Sequence, residues 1–158
     1  MTKTNAMRLL EAAKISFEVL EYPVDENDLS GESIARKTGK DRSQVFKTLV
    51  FSGEKNGFGV CCIPVCEELD LKKTAKAFGE KKVEMIHVKD LLKTTGYIRG
   101  GCSPVGMKKQ FATVIDETAE LFDTVYVSAG VRGAMLGISP QALADYIGAK
   151  FADVTFVE

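Results

Sequence analysis

Residues 45–65 read VFKTLVFSGEKNGFGVCCIPV and contain two apolar runs, Phe46 to Ser52 and Phe58 to Val65. The polar segment between them, Gly53 to Gly57, includes the pair Asn56-Gly57, which tolerates the positive φ angles of a tight turn. Runs rich in valine, phenylalanine and isoleucine on either side of such a turn are typical of a β-hairpin. The sequence therefore predicts antiparallel pairing here, and so a sheet that is not purely parallel.

Further helices and strands are predicted on both sides of this hairpin from capping residues, glycines and apolar spacing. The predicted helices are a short one with Ala6, Leu9, Leu10 and Ala13 on one face, Ser30 to Thr38 closed by Gly39, a turn of helix near Asp41, Asp70 to Phe78 closed by Gly79, and one from Ser139-Pro140 to Gly148. The predicted strands are Phe17 to Tyr22, Val83 to Ile86, Ala112 to Ile115, Thr124 to Ser128, Met135 to Ile138 and Lys150 to Val157. This order predicts an α/β fold of the α+β type, with a mixed, curved β-sheet or partial barrel flanked by helices.

Composition and length predict one domain over residues 1–158, since 45% of the residues are hydrophobic and 27% are charged. No apolar run approaches the roughly 18 residues that a membrane-spanning helix needs. The first residues, Met1 to Asn5, lack the apolar stretch of a secretion signal. We therefore expect a cytoplasmic protein without a membrane partner.

Charge is distributed unevenly along the chain. Residues 1–71 carry a net charge of −3, residues 72–109 a net charge of +7 and residues 110–158 a net charge of −5. The basic middle segment could follow a phosphate backbone, as in a nucleic-acid partner. The alternative is that these lysines only form solvated helix faces.

The sequence lacks the usual catalytic and metal-binding patterns. The four cysteines, at 61, 62, 66 and 102, match no zinc-site spacing, and His87 is the one histidine, so we expect buried thiols, a structural histidine, no metal and no cofactor. There is no Gly-x-Ser-x-Gly elbow, no P-loop and no dinucleotide-binding glycine pattern. An enzyme with this sequence would have to act on an already reactive bond through positioning and electrostatics.

Lys47 is the first candidate site residue, because it interrupts the apolar run of a predicted strand. Strand alternation should turn its side chain to the face opposite Phe46 and Thr48. If that face borders a cavity, the ammonium could hold a phosphate, a carbonyl or a carboxylate. The alternative is a lysine on a solvent-exposed or edge strand.

Two glycine-containing loops are the other candidates. The segment Thr95 to Gly106 allows close approach of the backbone to a ligand, and its amides could stabilise an oxyanion. It contains Cys102, for which the sequence places no base nearby. The segment Val127 to Gly133 carries a hydroxyl and a guanidinium at a turn. Either loop could equally be a plain turn.

Taken together, several blocks in a fixed order resemble the YbaK/EbsC family of editing domains, which is related to the insertion domain of bacterial prolyl-tRNA synthetases. The blocks are Val45 to Leu49, Leu69 to Lys73 with Ala75 to Ala77, Lys81 to Met85, Thr95 to Tyr97, Gly100-Gly101, Ser103-Pro104, Gly106 with Lys108-Lys109, Ser128, Gly130, Arg132-Gly133 and Ala149 to Asp153. They cover nearly the whole chain.

The resemblance implies a trans-editing deacylase that removes cysteine from mischarged Cys-tRNA(Pro), with prolyl-tRNA synthetase as a transient partner and without a DNA partner. It also implies a mechanism in which the thiol of the bound cysteine attacks its own carbonyl, so that the protein supplies no nucleophile. Two alternatives remain open: a deacylase for Ala-tRNA(Pro), which would need water as nucleophile, and a non-catalytic module that binds tRNA or a synthetase.

The same resemblance implies roles for individual residues. Lys47 would be the catalytic residue, anchoring the terminal adenosine or its phosphate. The implied substrate-binding residues are Tyr22, Thr48, Gly100, Gly101, Pro104, Ser128 and Arg132, and the implied tRNA-binding residues are Lys72, Lys73 and Lys76. One stretch departs from the family pattern: relatives carry polar or acidic residues after the Arg-Gly turn, whereas Ala134 to Ile138 is apolar here. A contact to the amino group of the substrate is therefore lost or supplied elsewhere.

Overall fold

The computed structural model describes residues 2–156; the parts of the predicted domain and last strand that fall on Met1, Val157 and Glu158 lie outside the described residues. In chain order the elements are α1 (Asn5–Ala12), β1 (Phe17–Glu21), α2 (Gly31–Thr38), β2 (Phe46–Gly53), β3 (Gly57–Pro64), α3 (Leu71–Ala77), β4 (Val83–Met85), α4 (Val88–Thr95), β5 (Ala112–Asp116), a 3-10 helix (Glu117–Leu121), β6 (Val125–Ser128), β7 (Ala134–Ile138), α5 (Pro140–Ile147) and β8 (Lys150–Ala152). Within residues 2–156, no helix has the length and apolar character required to cross a membrane.

The strands form two sheets. The larger one has the order β4-β2-β3-β5-β8, in which β4, β2 and β3 are antiparallel while β3, β5 and β8 are parallel. The smaller, antiparallel sheet has the order β1-β7-β6. A β-bridge between Val45 and Tyr126 joins them. The predicted mixed α/β architecture is confirmed, as two sheets that do not close into a barrel.

The predicted hairpin is confirmed as β2 and β3, which pair along their whole length from Phe46 opposite Pro64 to Gly53 opposite Gly57. Gly57 has a φ of 74°, as the Asn-Gly pair suggested. The carboxylate of Glu80 accepts hydrogen bonds from the amides of Lys55 and Asn56, which fixes the turn. The hairpin thus places Lys47 near the start of β2, before the stretch from Phe51 to Gly53 that pairs with β4.

Capping residues in the sequence predicted most helix boundaries correctly. The side chains of Ser30, Asp70 and Ser139 each accept a hydrogen bond from an amide of the helix that follows. Helices α2 and α5 end at Gly39 and Gly148, both with positive φ. These side-chain bonds satisfy amides that otherwise lack a partner in the first turn of a helix.

Three sequence-based predictions were wrong, and one helix was missed. The residues after Asp41 form a turn and not a helix, because the Asp41 carboxylate accepts hydrogen bonds from the amide and hydroxyl of Ser43. In α1, Met7 is buried and Ala13 is exposed, since the helix stops at Ala12. Strand β8 ends at Ala152 instead of continuing towards Val157. Helix α4 had not been predicted.

Three clusters of side chains form the core. The main cluster lies between the two sheets and includes residues of α1 and α5. A second cluster lies under α3 and includes Phe51, Cys61 and Ile63 on the other face of the larger sheet. The third packs α2 against Val45 and Met135. This last cluster holds the beginning of α2 beside β2.

Asp116→Ala is expected to reduce the free energy of unfolding by about 3 kcal/mol. Asp116 is buried, and its carboxylate accepts hydrogen bonds from the amide and hydroxyl of Thr118 and from the amide of Val154. Alanine would leave these donors without their acceptor. Urea unfolding measures the change. Asp145→Ala is the control, because among residues 2–156 the exposed Asp145 carboxylate accepts one hydrogen bond, from the side-chain amide of Gln141, so a loss below about 0.5 kcal/mol is expected.

Candidate active site

A cavity of about 540 Å³ opens beside the edge of β2, a size typical of small-ligand sites. It is lined from α2, β2, the β4–α4 segment, the glycine loop after α4, and the strands β6 and β7. The lining residues are Leu29, Ser30, Gly31, Glu32, Ile34, Val45, Phe46, Lys47, Thr48, Leu49, Val50, Val65, Met85, Ile86, Val88, Leu91, Arg99, Gly100, Cys102, Ser128 and Met135. The wall is largely apolar, with a few polar groups inserted.

The cavity exists because β2 lacks a neighbouring strand along part of its edge. Strand β4 pairs with β2 only from Phe51 to Gly53, and the amide of Ile86 then donates to the carbonyl of Val50. At the other end, Val45 bridges to Tyr126. Peptide groups of alternate strand residues face the same edge. The N–H and C=O groups of Thr48 therefore point the same way as the carbonyl of Val50, towards the cavity.

Lys47 is half-buried in the cavity wall. The side chains of β2 alternate between two faces: Phe46 packs in the main core, and Phe51 packs under α3 on the opposite face. Lys47 is four residues before Phe51, so it lies on the same face as Phe51 and opposite Phe46, as predicted. Among residues 2–156, no side chain or carbonyl forms a hydrogen bond or ion pair with the Lys47 ammonium. The ammonium is therefore free to bind an anionic or carbonyl oxygen of a ligand.

The glycine loop forms the wall across from β2. Its course is fixed by Gly100, which has a φ of 84°, and by Gly101, where an added Cβ would lie 3.2 Å from the backbone nitrogen of Arg132. Arg132 Nε donates to the carbonyl of Arg99 at 2.8 Å. The loop is thus held against the 129–133 turn, with Gly100 and Cys102 at the cavity.

Ser128 and Met135 come from the smaller sheet, where their strands pair with each other. The Ser128 hydroxyl accepts a hydrogen bond from the amide of Gly130, and its own proton remains available to a ligand. Met135 belongs to the apolar stretch that departs from the family pattern. This side of the cavity therefore offers a hydroxyl and a thioether, and no charge.

The sequence-predicted site residues fall into four places. Lys47, Thr48, Gly100 and Ser128 line the cavity, and a narrow adjoining crevice is lined by Tyr22, Gly100 and Arg132. Gly101 and Pro104 are buried behind the loop and do not line the cavity. Lys72, Lys73 and Lys76 lie on α3 and do not line the cavity. The roles assigned to the residues in all of these places remain predictions.

Burial makes the protein's own thiols poor nucleophiles. Desolvation raises the pKa of the Cys102 thiol to about 11, and those of Cys61 and Cys62 to about 12. The expected burial of thiols holds for Cys61 and Cys62, whereas Cys66 and Cys102 are half-buried. His87 is exposed at the start of α4 and does not line the cavity. Within residues 2–156, the cavity lining therefore offers no thiol that ionises readily at neutral pH and no imidazole that could activate one.

Several cavity residues were missed from the sequence. Helix α4, which contributes Val88 and Leu91, could have been found from the apolar spacing of Val88, Leu91, Leu92 and Thr95 before Gly96. Glu32 and Arg99 gave no such signal. Glu32 lies at the start of α2 and Arg99 lies in the glycine loop. Both reach the cavity only because segments that are distant in the chain pack together.

Comparisons with known proteins match most of the chain. The family described as the aminoacyl-tRNA editing domain matches residues 26–146. A protein of Enterococcus faecalis with the provisional name Cys-tRNA(Pro)/Cys-tRNA(Cys) deacylase EbsC is 50% identical over 156 residues, spanning 99% of this chain and 95% of that protein. A crystal structure of a provisionally named trans-editing enzyme for prolyl-tRNA synthetase is 25% identical, with a TM-score of 0.84 over 99% of this chain and all (100%) of that one. A hypothetical protein of known structure, 24% identical, has a TM-score of 0.85 over 94% of this chain and 97% of its own and shares the fold.

Proposed function

Because the chain belongs to the aminoacyl-tRNA editing domain family, we propose that its cavity releases cysteine from mischarged Cys-tRNA(Pro) in trans. The chain is an aminoacyl-tRNA deacylase of the YbaK/EbsC type, as the sequence blocks predicted, and mischarged tRNA is its substrate. Cysteine and proline are similar in size, so a synthetase pocket that accepts proline cannot reject cysteine strongly enough. A second site has to remove the error.

The observation that carries the proposal is a ligand-sized cavity with an unpaired ammonium and no activated nucleophile. Lys47 lines the cavity without a partner among residues 2–156, and burial keeps Cys102 protonated. An aminoacyl ester is already reactive, so positioning it can suffice. This combination supports a reaction in which the substrate provides its own nucleophile.

In the proposed reaction, the sulfur of the bound cysteine attacks the carbonyl carbon of its own ester. The carbon–oxygen bond to the ribose breaks, and the proton of the thiol ends on the ribose oxygen. The products are free tRNA and a four-membered cyclic thioester, which water then opens to cysteine. Lys47 anchors the terminal adenosine or its phosphate, while Thr48, Gly100 and Ser128 confine the aminoacyl group, with Tyr22 and Arg132 in the adjoining crevice.

The basic segment 72–109 supplies one side of the cavity, since β4, α4 and the glycine loop all belong to it. This placement supports approach of a phosphate backbone from that side. On α3, Lys72 and Lys76 are exposed, whereas Lys73 is paired with Asp153 at 2.9 Å. We expect Lys72 and Lys76 to contribute more to tRNA affinity than Lys73. Prolyl-tRNA synthetase remains the proposed transient partner.

The decisive assay compares deacylation of Cys-tRNA(Pro) and Ala-tRNA(Pro) by the purified chain. We expect Cys-tRNA(Pro) to react at least about a hundredfold faster, because alanine has no thiol to replace the missing nucleophile. Mass spectrometry of a rapidly quenched reaction should detect the cyclic thioester before free cysteine.

Two outcomes would contradict the proposal. Preference for Ala-tRNA(Pro) would indicate an editing enzyme that activates water. Tight tRNA binding without release of either amino acid would indicate a non-catalytic module. Uncharged tRNA(Pro) serves as the competitor that separates binding from turnover.

A further inference from the structure

Glu32 is the only carboxylate in the cavity lining, within the part of the chain that the structure describes. The two charged groups that share the lining with it, Lys47 and Arg99, are both cations. An aminoacyl ester with a free amino group carries an ammonium beside its carbonyl. A cavity that holds such an ester at neutral pH therefore needs an acceptor for this positive charge.

The position of Glu32 is well defined by its backbone. It lies in the first turn of α2, where the Ser30 hydroxyl accepts a hydrogen bond from the amide of Ser33. The preceding Gly31 lies against Val65, because an added Cβ at Gly31 would stand 2.2 Å from Val65 Cγ1. The start of α2 is therefore pressed against the end of β3, with Glu32 at the cavity.

The Glu32 carboxylate is not committed to another partner. Arg42 Nη1 lies 3.8 Å from Glu32 Oε1, which is too long for a hydrogen bond, and both side chains are more than half exposed. Exposed ion pairs of this kind contribute little to the stability of the fold. The carboxylate can therefore turn towards a cationic ligand at little cost.

Among residues 2–156, the cavity wall opposite α2 has no acidic lining residue, and Asp25 and Asp28 line only the adjoining crevice. Strand β7 contributes Met135, and the neighbouring strand β6 contributes the neutral Ser128. An ammonium bound near this wall could use only carbonyl or hydroxyl oxygens. Glu32 is thus the one described lining residue that can match the charge.

We propose that Glu32 binds the α-ammonium of the aminoacyl group and makes the deacylase select substrates with a free amino group. The inference rests on the proposed function, since it concerns the same cavity. One consequence is that tRNA carrying an N-blocked residue, such as a peptide, is a poor substrate. The site would then remove a single misplaced amino acid and spare growing chains.

The test compares two substrates, Cys-tRNA(Pro) and N-acetyl-Cys-tRNA(Pro), with the wild-type chain and Glu32→Gln. The acetylated substrate keeps the thiol and the ester but lacks the ammonium. For the wild type, we expect kcat/KM to be about tenfold lower on the acetylated substrate. Glu32→Gln should lower kcat/KM about tenfold on Cys-tRNA(Pro) and leave the acetylated substrate unchanged.

Glu26→Gln is the matched control, because Glu26 is exposed and does not line the cavity. It should change kcat/KM less than about twofold on both substrates. If Glu32→Gln slowed both substrates equally, or slowed neither, the assignment of the ammonium to Glu32 would be wrong while the deacylase function stood. If the wild type failed to cleave Cys-tRNA(Pro), the proposed function would fail and this inference with it. Thermal unfolding of each variant separates these results from a loss of folding.

Discussion

Lys47→Ala is expected to lower kcat/KM for Cys-tRNA(Pro) by at least about a hundredfold. Lys47 is half-buried, lines the cavity and has no partner among residues 2–156. Removing it would take away the cation that holds the terminal adenosine or its phosphate, and the ester would lose its fixed position. Removal of one preorganised charged or hydrogen-bonding group costs about 10² to 10³ in rate in comparable sites. Single-turnover deacylation measures the effect.

Lys55→Ala is the control for this experiment, because Lys55 is exposed in the hairpin turn far along β2 from the cavity. Its rate should stay within about twofold of the wild type. Lys47→Arg tests whether charge alone suffices, and we expect partial activity, since the planar guanidinium differs in shape from an ammonium. Wild-type activity in a folded Lys47→Ala variant would show that the proposed anchor is wrong.

Replacing the thiol of the substrate by a methyl group is expected to reduce deacylation to the uncatalysed rate. The substrate is 2-aminobutyryl-tRNA(Pro), which keeps the size and the ammonium of cysteine. The cavity offers no substitute nucleophile, because the pKa of the Cys102 thiol is raised to about 11. The Cys102 thiol therefore stays almost entirely protonated at pH 7. Cleavage of 2-aminobutyryl-tRNA(Pro) at a rate near that of Cys-tRNA(Pro) would exclude attack by the substrate's own thiol.

The pH dependence gives a second readout of the same mechanism. An ordinary thiol has a pKa of about 8.5, so the thiolate fraction of the substrate rises about tenfold per pH unit below that value. The logarithm of the deacylation rate should therefore increase with a slope near one between about pH 6 and pH 7, before the α-ammonium that Glu32 is proposed to bind begins to lose its proton. Cys102→Ala should keep this slope. A flat profile would exclude attack by the thiolate of the substrate, and loss of the slope in Cys102→Ala would assign the nucleophile to the protein.

Local features of this fold could be predicted from the sequence because they depend on neighbouring residues. The hairpin, the caps at Ser30, Asp70 and Ser139, and the glycines that end α2 and α5 all require only a few consecutive residues. The turn after Asp41 was mistaken for a helix, since the same carboxylate can cap a helix or bind the amide two residues on. The sequence alone does not distinguish a helix cap from such a turn, because the two differ in the conformation of the residues that follow.

The site was predictable only in part. Lys47 stands out because a cation interrupts an apolar strand, whereas the loops containing Gly100 and Ser128 could equally be plain turns until the resemblance gave these two residues a role. Neither the gap along the edge of β2 nor the presence of Glu32 at the cavity follows from spacing. Both depend on how α2, α4 and the smaller sheet pack around β2, which is set by contacts between residues far apart in the chain.

The gap along the edge of β2 gives part of the cavity wall a chemistry that a point mutation cannot easily change. There the peptide groups of Thr48 face the cavity, and every amino acid except proline supplies the same donor and acceptor. Substitutions can alter the surrounding side chains, but the backbone N–H and C=O groups keep their positions as long as the register of β2 against β3 is unchanged. A deletion or insertion in the hairpin would disturb it more than most substitutions. Distant descendants of this sequence can therefore diverge widely at their side chains and still present the same pair of backbone groups.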